Sequence, residues 1–451
     1  MSIPKRGNTP GGLAVGLLAA MESRGGVWFG WDGETCESTP GPATVIWQGN
    51  IEYVSTPLTE LEYRDFLIGF CNSVLWPLFH YFIAEFRYSA AKFEAYQHVN
   101  ARYAQELLPH LQAGDLVWVH DYHLIPLAQK LREAGARHPM GFFLHIPFPT
   151  AEVLRVLPVY GELLQGLLAY DLLGFQTITD LRAFREGVRQ VWPEAEIDDH
   201  TVRVGDRRVV TMVCPIGVDV EGLRAAAEQA VQAEECRRMV AGLLGRRLMI
   251  GVDRLDYSKG LVQRFRAYER FLETYPENHN RVTFMQIAPL SRTDVRAYSE
   301  IRRDLEQATG RTNGRFADTD WTPIRYLNRN FPRDMLMGFL RSALIGIVTP
   351  VRDGMNLVAK EFVAAQDPTD PGVLVLSTLA GAAHELGAAL LVNPYDTRAM
   401  AQAIQQALDM PLGERRERHQ SMLEALERNS IHAWLSRFVS ALGEVPRAAA
   451  A

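Results

Sequence analysis

An α/β protein built from two doubly wound parallel sheets is the fold this sequence predicts. Three observations carry it. Short apolar runs alternate with amphipathic stretches through most of the chain, as strands and their covering helices do in parallel sheets. The alternation runs as two series that meet near residue 220. The length, 451 residues, exceeds what one core usually holds. Two domains with a cleft between them follow, and sites are expected beyond the carboxyl ends of the strands.

The elements read in order. "LVWVH" (116–120) is a buried strand, and "LIPLAQKLREAG" (124–135) follows with helical spacing and ends in Gly135. "MGFFLHI" (140–146) is the next strand, stopped by Pro147 and Pro149. A helix around 151–169 leads to the strand "DLLGFQ" (171–176), then another helix, then the strand-to-loop stretch "RRVVTMVCPIGVD" (207–219). A polar helix near 221–243 separates the two series. The second series has strands at "RLMIGVD" (247–253), "RVTFMQIA" (281–288), "ALIGIV" (343–348), "GVLVLS" (372–377) and "AALLVNP" (388–394). No short-period repeat or low-complexity block interrupts them, and the tail "RAAAA" is expected to fray.

Composition narrows the classes of function. Apolar residues make up 47 % and charged residues 22 %, with a net charge of −6, so there is no basic footprint for nucleic acid. The cysteines Cys36, Cys71, Cys214 and Cys236 form neither a CxxC pair nor a disulfide framework, which suits a reducing cytoplasm. No apolar stretch reaches the length needed to span a bilayer. The opening "MSIPKRGNTPGGLAVGLLAAM" is not an export signal: its apolar run is short, punctuated by glycine, and followed by Glu22 and Arg24.

Several stretches carry candidate chemistry. In "GVDRLDYSKGLVQRF" (251–265), Arg254 and Lys259 bracket a turn between strand and helix, where helix N–H groups and two cations suit a diphosphate. The plainer reading pairs them with Asp253 and Asp256 at the surface. In "TPVRDGMNLVAKEFVAAQD" (349–367), Asp353 is placed to cap a helix, Gly354 permits close backbone approach, and Glu361 lies one turn beyond Leu357. That face suits a hydroxylated ligand, or is an ordinary capped helix with a solvated glutamate. "VWVHDYHLIP" and "FFLHIPFP" put Asp121, His123 and His145 at strand ends. No carboxylate or cysteine completes a zinc spacing with His120 and His123. Trp31 and Trp76 are either core or covers for the apolar face of a sugar ring, and Arg292 in "APLSRTDV" is a candidate for a second phosphate.

Taken together, "GGLAVGL", "WFGW", "VLWPLFHY", "WVHDYHL", "FFLHIPFP", "DLLGFQT", "DRLDYSKGL", "QIAPLSR", "RDGMNLVAKEFVAAQ" and "VNPYD" resemble the trehalose-6-phosphate synthase family in order and spacing, from Gly11 to about residue 445. The resemblance implies a GT-B fold: two doubly wound Rossmann-like domains with an interdomain cleft. Residues 1–220 would form the acceptor domain, with a C-terminal helix at about 430–451 packing back on it, and 221–429 the nucleotide-sugar domain. The implied reaction transfers glucose from UDP-glucose to glucose 6-phosphate with retention, giving trehalose 6-phosphate and UDP. No cofactor or metal is implied, because protein cations hold the diphosphate. The partners implied are these two small molecules, with neither nucleic acid nor membrane, and a homo-oligomer is compatible with the family.

By motif, Arg254 and Lys259 would bind the diphosphate, Glu361 the ribose, and the Leu357 backbone a phosphate. Asp353, with the backbone of Gly354, Met355 and Asn356, would hold the glucosyl hydroxyls, beside His145. Gly12 would close over the diphosphate. Trp31, Trp76, Asp121 and Arg292 would line the acceptor site. Asp121, His145, Arg254, Lys259 and Asp353 are thus the residues implied in catalysis. The implied mechanism is a front-face substitution resting on orientation and charge stabilisation.

The chain departs from the family pattern in three places. The family opens with a hydrophobic strand ending in Ser-Asn-Arg, and nothing like it precedes Gly11; the segment before Arg6 is short and contains Pro4. Leu67 stands where an acceptor-contacting tyrosine is expected, and Asp253-Arg254 replaces Glu-Arg. The expectation is that Met1 is an internal start and that a central strand of the first sheet lies upstream, its neighbours left with unpaired ladder groups. The alternatives in function are another phosphorylated acceptor, such as glycerol 3-phosphate, or an inactive regulatory homologue.

Overall fold

The computed structural model describes residues 17–18, 21, 25–38, 41, 43–290 and 296–445. The chain divides into two compact units, Met1–Ile216 with His432–Ala451, and Gly217–Ile431. Among the described residues no helix is long and apolar enough to cross a membrane.

The first unit holds two sheets. Strands β1 (Gly26–Cys36), β2 (Thr44–Gln48) and β3 (Ile51–Thr59) form a three-stranded sheet in the order β1-β3-β2, with β1 parallel and β2 antiparallel to β3. Sequence reasoning did not see this sheet, because no helices separate its strands. A wide helical segment, Tyr63–Leu75, follows it and closes with the Trp76 N–H donating to the Cys71 carbonyl, five residues back. The second sheet contains β4 (Val117–His120), β5 (Met140–Phe143), β6 (Leu172–Phe175), β7 (Glu196–Ile197), β8 (Thr201–Val204) and β9 (Arg207–Val213), in the order β4-β5-β6-β9-β8-β7. β4, β5, β6 and β9 are parallel; β7 and β8 add an antiparallel edge that the alternation did not signal.

Prolines trim the predicted elements. The helix expected from 124 begins at Leu127, after Pro126. The helix expected over 151–169 is two, Ala151–Leu154 and Tyr160–Leu168, interrupted around Pro158. β9 stops at Val213, two residues before Pro215. The terminal helix Ile431–Glu444 packs Trp434 and Phe438 on the sheet: Phe438 stacks on Trp118 at 4.4 Å and 9°. Gly141 of β5 makes room, since a Cβ there would sit 2.7 Å from the Phe438 ring.

Among the described residues β1 pairs only with β3, and β4 only with β5. Both edges line one cavity of about 590 Å3, walled by residues 27–29 of β1, all of β4, and Leu435 and Leu442 of the terminal helix.

The second unit is a single parallel sheet of β10 (Arg247–Val252), β11 (Val282–Ile287), β12 (Ile324–Leu327), β13 (Ile345–Val348), β14 (Val373–Ser377) and β15 (Leu390–Val392). Its order is β12-β11-β10-β13-β14-β15, so the winding reverses between β10 and β13. β12 was missed because its four residues, Ile-Arg-Tyr-Leu, alternate rather than run apolar. The polar helix expected over 221–243 is two, Val220–Ala230, capped by Asp219, and Glu234–Ala241. The core packs Phe265, Tyr268 and Phe271 of one helix against Phe284 and Ile345 of the sheet.

Candidate active site

Crevices at a reversal of winding are where open α/β sheets bind ligands. In the second unit the loops after β10 and β13 meet there. After β10, Asp256 accepts from the Ser258 N–H at 2.9 Å and from the Tyr298 hydroxyl at 2.9 Å. This folds the chain into the single turn Tyr257–Lys259. Gly260 then takes φ 65°, and a Cβ there would lie 2.2 Å from the Thr349 carbonyl oxygen, so only glycine lets the two loops approach. The Val351 N–H donates to the Ser258 carbonyl at 2.9 Å.

Arg264 sits fully buried beneath this turn. It donates to the Asp253 carboxylate at 2.5 Å, to Gln286 Oε1 at 2.8 Å, to Thr349 Oγ1 at 3.0 Å and to the Lys259 carbonyl at 3.3 Å. One guanidinium therefore ties together the carboxyl ends of β10, β11 and β13. Burial pushes the Asp253 carboxyl up while Arg264 pulls it down. Asp253 and Asp256 are both buried, Asp253 against Arg264 and Asp256 against Ser258 and Tyr298. Arg254 is exposed.

Lys259 Nζ instead meets Asp353 Oδ2 at 2.5 Å. The same oxygen accepts from Asn356 Nδ2 at 3.0 Å. The cap of the helix Leu357–Ala365 is Asn356, whose Oδ1 accepts from the Ala359 N–H, and not Asp353 as expected. Asn356 has φ 78° and ψ 90°, an uncommon conformation for a residue with a Cβ. Gly354 is packed against Gly381, where a Cβ would lie 1.9 Å from the Gly354 carbonyl oxygen, and Met355 is buried. Glu361 is not solvated: Arg333 donates to it at 3.1 Å, and burial, the larger effect, raises its carboxyl against that pull.

In the first unit the ends of β4 and β5 are bound together. The Asp121 N–H donates to the Phe143 carbonyl at 2.8 Å, and Asp121 Oδ1 accepts from the His145 N–H at 3.4 Å. Asp121 holds φ 74° and ψ 163°, a region left almost entirely to glycine. His145 Nε2 lies 3.1 Å from His120 Nδ1. Burial lowers His145 to about 3 and carries His120 well below the ordinary histidine value, so both rings are neutral near pH 7.

The two tryptophans have different neighbours. Trp31 donates from Nε1 to the Glu34 carbonyl and packs 5.9 Å from Tyr63, at the start of the wide helix. Trp76, just past its end, is buried against His80 at 4.1 Å and Tyr122 at 5.9 Å, so it reaches the β4 loop through the neighbour of Asp121. Leu67 lies on the same helix, partly exposed, and nothing in the structure explains it in place of tyrosine. Gly12 and Arg292 fall outside the described residues. Among the described residues no group of three or more His, Cys, Asp or Glu is arranged to hold a metal ion.

Arg264, Gln286, Thr349 and Arg333 were not anticipated. Arg264 had a signal: it lies three residues after Leu261 and one before Phe265, inside the apolar stripe of its helix. Arg333 had none, because it comes from a separate helix, Arg333–Arg341.

Comparison with known proteins places this architecture. The profile described as Glycosyltransferase family 20 matches residues 5–444. A trehalose-6-phosphate synthase of Klebsiella pneumoniae is 46 % identical over 438 residues, 97 % of this chain and 92 % of the relative. The solved trehalose-phosphate synthase of Burkholderia xenovorans in complex with glucose-6-phosphate superposes with a TM-score of 0.93 at 47 % identity, covering 96 % of each chain. A solved E. coli trehalose-6-phosphate protein bound with UDP-2-fluoro glucose gives a TM-score of 0.94 at 44 % identity over 99 % of each chain. With the fold and nearly the full length matched, this chain belongs to glycosyltransferase family 20.

Proposed function

We propose that this protein transfers glucose from UDP-glucose to glucose 6-phosphate with retention of configuration, giving trehalose 6-phosphate and UDP. Relatives at 44 to 47 % identity over nearly the whole chain, one bound with a UDP-glucose analogue and one with glucose 6-phosphate, support the substrates. The observation in this chain that carries the reading is the Lys259–Asp353–Asn356 cluster at the winding reversal of the second sheet.

In this reading the second unit binds the sugar nucleotide. Arg254 and Lys259 hold the diphosphate, with the N–H groups at the start of the helix Leu357–Ala365. Glu361, fixed by Arg333, accepts from the ribose hydroxyls. Asp353 and the backbone of residues 354–356 hold the glucosyl hydroxyls, and His145 of the first unit contacts the same sugar. The first unit binds the acceptor through Asp121, Trp31 and Trp76, and Arg292, from the second unit's sequence, holds its phosphate.

The bond from glucosyl C1 to the diphosphate oxygen breaks as the acceptor hydroxyl oxygen bonds C1 on the same face. The hydroxyl proton passes to the departing phosphate oxygen. Arg254 and Lys259 stabilise the charge that develops on the leaving group, and Asp353 stabilises the cationic sugar. No side chain is required as nucleophile. The enzyme works in the cytoplasm: the four cysteines are free thiols, as a reducing compartment keeps them.

The test is UDP release from UDP-glucose with different acceptors. Release in step with trehalose 6-phosphate, and only when glucose 6-phosphate is present, is expected. Release with glycerol 3-phosphate instead, or donor binding without release, would contradict the assignment.

A further inference from the structure

His120 enters neither the donor nor the acceptor reading, yet its ring is the one hydrogen-bonded to His145. The two imidazoles stack with centroids 5.3 Å apart and 26° between planes, and Trp434 lies 6.2 Å from each. Trp118 packs on His120 at 4.6 Å and Phe143 on His145 at 4.8 Å. Enclosed in this way, both rings stay neutral. Two neutral imidazoles facing each other nitrogen to nitrogen share one proton: one donates and the other accepts.

The second nitrogen of His120 decides which. His120 lines the cavity described above, where Leu124, Leu127 and Leu435 form part of the wall and Glu52, His110 and Asp115 another part, and its Nε2 makes no hydrogen bond among the described residues. Toward the leucine part of that wall a bare lone pair is tolerated better than an unpartnered N–H. The proton of His120 therefore sits on Nδ1 and is donated to His145 Nε2. The single proton of His145 is then left on Nδ1. Its backbone is pinned independently, by the bond from its N–H to Asp121.

We infer that His120 is a positioning residue that fixes the tautomer and plane of His145, so that His145 presents an Nδ1–H donor to a hydroxyl of the transferred glucose. This rests on the proposed contact of His145 with that sugar. It makes His120 a determinant of glucosyl orientation without touching substrate.

The test is 15N NMR of the histidine-labelled protein, with the His145 signals assigned by their loss in His145→Gln. The expected wild-type spectrum has a protonated Nδ1 and a bare Nε2 on His145. In His120→Phe, which keeps the ring stack, His145 is expected to mix tautomers. Transfer should fall about tenfold, the worth of one orienting hydrogen bond, with UDP affinity unchanged. His120→Asn, whose amide occupies the place of Nδ1, should restore most of the rate and the spectrum.

A wild-type His145 protonated on Nε2, or a His145 spectrum unaltered in His120→Phe, overturns the inference. Should the Phe variant fail to fold, the wild-type spectrum alone decides. Failure of the underlying reading looks different: His145→Ala would then transfer glucose at the wild-type rate while the wild-type spectrum remained as described.

Discussion

The carboxyl ends of the strands are built differently in the two units. In the second unit charges hold them: Arg264 with Asp253, Lys259 with Asp353, Arg333 with Glu361. In the first, neutral contacts do: a histidine pair, stacked rings, and one carboxylate spent on a backbone N–H. The same strand–loop–helix architecture is thus wired for ions in one unit and for neutral rings in the other. The difference follows the chemistry each end is proposed to meet. A diphosphate needs cations kept in place by countercharges. A sugar ring and its hydroxyls need shape and neutral donors, and a mobile charge beside a developing cationic sugar would oppose the reaction.

The comparison can be broken most severely at Arg264. Arg264→Met leaves the Asp253 carboxylate buried without its partner, and loss of one member of a buried pair costs about 3–5 kcal/mol. The urea midpoint of the second unit should drop accordingly, with UDP affinity lost alongside. A Met variant as stable as wild type would mean that the ionic tie is ornamental.

The acid response sharpens the neutral side. The folded His145 holds its pKa at about 3 against an ordinary 6.5, so between those values the unfolded chain binds the proton and the folded one does not. Stability is fully present above pH 6.5 and is lost as pH falls toward 3. In His145→Gln that slope should flatten by up to one proton's worth, measured as urea midpoint against pH. An unchanged slope would place the acid sensitivity elsewhere.

A smaller effect is expected at Asn356. Asn356→Gly relieves the positive φ but removes the cap and the bond to Asp353, so stability should change by no more than about 0.5 kcal/mol. The rate should still fall, because Asp353 loses a donor that aims it. A rate equal to wild type would show that the Asn356 amide does not position that carboxylate.

What could be read from the sequence follows the same division. The parallel strands were legible because each is a short apolar run followed by a helix, and the loops after β10 and β13 stood out because charged and glycine residues follow such runs directly. The sheet β1–β3 was not, since its strands follow one another without helices and β2 is wholly exposed. Arg254, Lys259, Asp353 and Glu361 were visible as residue types. Their partners were less so, because pairing is set by tertiary contacts: Lys259 finds Asp353 across 94 residues, and Glu361 finds Arg333 from another helix. The exchange of the cap from Asp353 to Asn356 depends on a backbone angle that no periodicity encodes.

The central claim is that cations on the second sheet hold a sugar nucleotide's diphosphate. Calorimetric titration of UDP-glucose into wild type and Arg254→Ala tests it most directly. Loss of a charge-assisted phosphate contact should weaken binding by about a hundredfold, with glucose 6-phosphate binding unaffected. An Arg254→Ala protein that binds UDP-glucose as tightly as wild type would contradict the account.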